Sequence, residues 1–200
     1  MGLEPNQHPK QKPTPQKPLP VPLPDLKSAF QKMLSNPECS KFVADLLRQA
    51  AAYTPQDTPQ GDSLMDLFEK ISRQGNYVLK NDLRIEGRVI GGTVSGSIYN
   101  KDATVLLRAR GYFTTTPGAL ANSQRWYVIT AFHETFHLGG RYGAGYTDEA
   151  LGRAAFAITG DKSDLPSESL TGIDRVLAWS SYFDRQLLNK CAPDFNSWSK

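Results

Sequence analysis

Ala131-Phe132-His133-Glu134-Thr135-Phe136-His137-Leu138 carries the pattern His-Glu-x-x-His. On a helix, residues four apart lie one turn from each other on the same face, so the imidazoles of His133 and His137 converge on one point. Glu134 projects beside that point. Two neutral imidazole nitrogens at about 2.0–2.1 Å, a third protein ligand from elsewhere and a water in the open position make a catalytic zinc site. Glu134 is then placed to take the proton of a zinc-bound water. The bland reading is a pair of helix histidines satisfied by hydrogen bonds, with Glu134 a solvated charge.

A helix is expected around the motif. Residues 121–138 contain neither Gly nor Pro, and Ile129, Phe132 and Phe136 recur at helical spacing. Asn122 or Ser123 can cap its start, and Gly139-Gly140 stops it after Leu138. On the N-terminal side, Leu26, Phe30 and Leu34 predict a short helix, broken at Ser35-Asn36-Pro37. Phe42, Val43, Leu46 and Leu47 form the apolar stripe of a second helix, from Glu38 to Tyr53. A third is expected from Asp62-Ser63 through Leu64, Leu67, Phe68 and Ile71 to Gly75. Between Tyr77 and Tyr99 the pattern alternates around Gly91-Gly92, which predicts a hairpin, and residues 103–110 read as a further strand. A small antiparallel sheet therefore precedes the motif helix, and an edge strand of it could pair with an extended peptide.

Beyond the motif, residues 139–145 are too glycine-rich for regular structure. Thr147 or Asp148 caps a helix from Glu149 to about Ile158, in which Gly152 is out of place. A last amphipathic helix runs from about Leu170 to Lys190, with Ile173, Leu177, Phe183 and Leu187 among its apolar positions.

Two hundred residues with 39% apolar content suit one domain with a core. Eight of the fourteen prolines fall in residues 1–24, where Lys10, Lys12 and Lys17 against Glu4 supply +2 of the formal net charge of +3. This segment reads as an extended polyproline-like linker to a larger parent polypeptide, or as a ligand for an aromatic groove. The domain proper is expected over 25–200. Its near-neutral charge gives no footprint for nucleic acid. No apolar run reaches the roughly 18 residues of a membrane span. The N-terminus also lacks the apolar core of a signal peptide. Export by another route, an intracellular location and removal of an upstream segment all stay open. Cys39 and Cys191 lie near the two ends of the domain, where a disulfide would close it; two buried thiols are the alternative, and their wide spacing disfavours zinc ligation by the pair.

Only one other histidine exists, His8 in the proline-rich segment, so the third ligand is expected to be a carboxylate. The motif resembles that of the zincin group of zinc metallopeptidases, over the motif helix and the loop after it. Gly140 matches the metzincin pattern, but Gly143 stands where that pattern has its third ligand. The gluzincin pattern would take a Glu from a later helix, with Glu149 or Glu168 as candidates. The resemblance is nearest to the aspzincin ligand set, in which an Asp follows within Gly-Thr-x-x-Asp; Gly145-Tyr146-Thr147-Asp148 shares the residue types but not the spacing. It implies Asp148 as third ligand, with Glu149 second, though Asp148 could equally serve as a helix cap. Tyr146, Tyr142 or Arg141 would stabilise the oxyanion, Tyr146 foremost. The proline-rich lead, Asn36-Pro37-Glu38-Cys39, the late motif and the final Cys also resemble the C-terminal domains of bacterial repeat-containing surface and polymorphic-toxin proteins, which implies a secreted or cell-surface location.

The expectation is an α+β domain with a helical N-terminal part, a small antiparallel sheet, a zincin-like active-site helix and C-terminal helices. It would hydrolyse peptide bonds in a protein or peptide substrate, using Zn²⁺ on His133, His137 and Asp148 and Glu134 as general base. A zinc-stabilised binding or adhesion module without turnover, as a toxin's cargo domain, is the alternative.

Overall fold

Asp25 opens the first helix: its side chain accepts from the Lys27 amide at 3.3 Å and from the Ser28 hydroxyl at 2.6 Å. The computed structural model describes residues 25–53, 76–80, 84–85, 88–89, 92–95, 104–108, 117–137 and 146–192. The proline-rich segment 1–24, the expected helix over 62–75 and the glycine loop 139–145 lie outside the described residues.

Helix α1 (Leu26–Ser35) buries Leu26, Ala29, Phe30 and Met33, one stripe at three- and four-residue spacing. Asn36 ends it and caps the next helix, its side chain accepting from the Glu38 amide at 2.9 Å. Pro37, whose missing amide costs nothing at a first helical position, begins α2 (Pro37–Tyr53). The buried face of α2 runs through Cys39, Phe42, Val43, Leu46, Leu47 and Ala50.

Among the described residues five short strands follow: β1 (Asn76–Lys80), β2 (Arg84–Ile85), β3 (Arg88–Val89), β4 (Gly92–Ser95) and β5 (Thr104–Arg108). Strand β5 is central in the order β1-β5-β4, antiparallel to β4 but parallel to β1. The expected all-antiparallel sheet is thus corrected to a mixed one. The more than twenty residues between β1 and β5 are enough for the crossover that parallel pairing needs. The turn expected at Gly91-Gly92 lies partly outside the described residues; within these, β2 pairs with β3 and β4 with β5, both antiparallel.

The motif helix α3 (Pro117–Phe136) starts earlier than expected, with Pro117 at its first position, so Asn122 and Ser123 lie inside it rather than at its cap. Every residue from Tyr127 to Phe136 is buried. A helix buried on all sides is a central one, and α3 touches α1, β4, β5 and the last helix. Predominantly helical, the described chain closes with α4 (Asp148–Thr159) and α5 (Gly172–Cys191). Thr147 caps α4 through its hydroxyl, and Gly160 ends it in the left-handed region at φ 64°. A disulfide joins Cys39 of α2 to Cys191 of α5, both buried.

Candidate metal centre

Helix α3 brings the motif to its last turn. His133 and Glu134 sit within the helix, and His137 follows its last residue, its amide bonded to the Glu134 carbonyl at 3.2 Å. The two Nε2 atoms face each other at 3.1 Å. Thr147 has taken the capping role, so the carboxylate of Asp148, the first residue of α4, is left to face the histidines. Its Oδ1 lies 3.1 Å from His133 Nε2 and 3.8 Å from His137 Nε2. His133, His137 and Asp148 form a group that could hold a metal ion, the one such group among the described residues.

Both imidazoles are held from behind. His133 Nδ1 meets Asp184 Oδ1 of α5 at 2.7 Å, and His137 Nδ1 donates to the Tyr146 carbonyl. A carbonyl only accepts, so His137 carries its proton on Nδ1 and turns the Nε2 lone pair toward Asp148 and His133. Aromatic rings pack beside the histidines: His133 meets Phe183 edge-on at 4.9 Å, and Phe183 in turn meets Phe136 at 5.5 Å.

No protein-family model, no curated protein and no solved structure matches this chain. The arrangement is therefore read from its own chemistry.

Burial opposes charge on His133, yet the carboxylates of Asp184 and Asp148 outweigh it and raise its pKa well above the usual value. Burial and the His133 charge lower His137. For Asp148, burial works against ionisation, but the His133 hydrogen bond and both imidazoles hold it at about 2. Glu134 lies in the same pocket, 4.0 Å from His137 Nε2, and burial pushes its carboxyl up to about 8.

Glu149, the other candidate ligand, is engaged elsewhere: Arg153 and Arg175 bond to it at 2.8 and 2.6 Å. Glu168 joins the same two arginines. Tyr146, expected as an oxyanion donor, has its ring in the core and contributes its main-chain carbonyl to the site. Tyr142 and Arg141 lie outside the described residues. Asp184 was not anticipated. The signal was faint: a carboxylate directly after Phe183 and one turn before Leu188, on the inward side of an amphipathic helix.

Proposed function

We propose that this chain is a zinc-dependent peptidase, with zinc held by His133, His137 and Asp148 and Glu134 as its general base. The reading is carried by the convergence of two Nε2 atoms and one Oδ1, at 3.1, 3.1 and 3.8 Å, beside a buried carboxyl. Zinc takes nitrogen and oxygen donors at about 2.0–2.2 Å, so two donors of one ion lie within about 4.4 Å of each other. All three separations meet that limit. Imidazole with carboxylate is a donor set that suits zinc. Bound there, zinc would polarise a scissile carbonyl and acidify the attacking water.

The chain's own part is proton transfer. Glu134 accepts the proton of the attacking water and delivers it to the leaving amine; it lies 4.0 Å from His137 Nε2, and a divalent cation at that point would favour its carboxylate form. The substrate class is protein or peptide. The packing of the motif helix against β4 and β5 supports a zincin-like α+β domain over 25–200. The disulfide supports a secreted or cell-surface location, where such bonds persist. No helix among the described residues is long and apolar enough to cross a membrane.

Glu134→Gln tests the reading against a zinc-stabilised binding module, because both require the same three ligands. Wild-type protein and variant should each hold one zinc per chain. Cleavage of a peptide library, read by mass spectrometry, should fall about 10²–10⁴-fold in the variant. Undiminished turnover in Glu134→Gln would sink the mechanism. Bound zinc with no cleavage by wild-type protein would favour the binding module.

A further inference from the structure

Helix α5 contributes no metal ligand, yet it holds one of the three from behind: Asp184 bonds His133 Nδ1 at 2.7 Å. The helix is itself fixed against its neighbours. Gly152 lets α4 close onto Trp179, where an added Cβ would lie 2.5 Å from Cε3 of the indole, and Cys191 is bonded to Cys39 of α2.

We propose that α5 carries the outer layer of the metal centre, with Asp184 as the positioning residue for His133. The proposal rests on the zinc reading above and extends it to a group that touches neither metal nor substrate. Accepting from Nδ1, Asp184 fixes the His133 ring and its tautomer, which leaves the Nε2 lone pair aimed at the other donors. Its charge has a second consequence. Asp184 adds negative charge beside Asp148 and Glu134 in a pocket where His133 is 1% exposed, and burying a divalent cation there without it would be more costly.

Zinc affinity, measured by competition with a chromophoric chelator, tests the assignment. Asp184→Asn keeps the side chain's shape but loses its charge, and should weaken zinc binding about 10–100-fold. A merely structural role would not move the imidazole proton: in zinc-loaded protein the His133 Nδ1 proton resonance, shifted downfield by the carboxylate, should move upfield in Asp184→Asn. Wild-type affinity in Asp184→Asn, or an unmoved resonance, overturns the role of Asp184. Should Asp184→Asn fail to fold, the zinc-loaded wild-type protein decides alone: absence of a downfield His133 Nδ1 proton overturns the role of Asp184. Wild-type protein that takes up no zinc overturns the metal-centre reading itself, a different and recognisable failure.

Discussion

Thr135 has a single hydroxyl proton and gives it to the Ala131 carbonyl one turn back, at 2.7 Å. The same oxygen lies 2.8 Å from the Tyr77 hydroxyl, so Tyr77 must be the donor in that pair. This bond ties β1 to the motif helix two residues from each histidine. Burial pushes the phenol up to about 12, against a weaker opposing pull from Thr135. An unfolded tyrosine ionises near about 10, so the folded state keeps a proton that the unfolded state releases. The stabilisation is therefore complete below pH 10 and is lost as pH rises toward 12. Tyr77→Phe should cost about 1 kcal/mol at pH 8 by removing a buried hydrogen bond. That deficit should shrink by about 1 kcal/mol between pH 10 and 11, as the wild-type protein alone loses the Tyr77 contribution. Urea unfolding of both proteins at these pH values decides it; parallel pH profiles would refute the buried donor.

Gly152 is the residue of α4 that sequence patterning makes least sense of, since glycine costs a helix about 1 kcal/mol relative to alanine. Its reason is the neighbouring helix. A Cβ there would meet Trp179 Cε3 at 2.5 Å and the Trp179 carbonyl at 3.2 Å, and the indole is buried with the Arg153 guanidinium 5.0 Å from its centroid. The ring has little room to yield. Gly152→Ala should therefore destabilise the protein by about 1–3 kcal/mol despite its better helix propensity, a loss measurable as a lower urea midpoint. A stabilised variant would show that α4 and α5 stand further apart. The same distinction explains what was legible beforehand. Helices α1, α2, α4 and α5 announce themselves because burial on one face imposes a 3.6-residue period, and the motif names two candidate ligands because four residues make one turn. Strand pairing leaves no comparable local trace: nothing in Tyr77 or Val105 says that they lie side by side in parallel. Asp184 hid for another reason, since a carboxylate on an amphipathic helix looks like a solvated charge until its partner across the fold is known. Pro117 starts the motif helix because only the first turn tolerates its missing amide.

At the scale of the molecule, the bond between Cys39 and Cys191 spans 152 residues of chain and closes nearly the whole described body. The chain-entropy model assigns a loop of that length about 5 kcal/mol, comparable with the entire stability of a small domain. Its other link at this point, Lys190 to Glu38 at 2.8 Å, is exposed and adds little. Because both cysteines are buried, a reductant reaches the sulfurs only when the α2–α5 seam opens. Two results should follow. Dithiothreitol at neutral pH should reduce the native protein slowly, and much faster in urea below the unfolding midpoint, as mass spectrometry after alkylation would record. The Cys39→Ala/Cys191→Ala variant should unfold at a far lower urea concentration, by a free-energy loss of about 2–5 kcal/mol. Since α5 also holds Asp184 against His133, seven residues before Cys191, that variant should bind the proposed zinc more weakly as well. An unchanged midpoint with unchanged zinc affinity would mean that packing of α4 and α5 alone fixes the last helix, and that the disulfide is dispensable to the site.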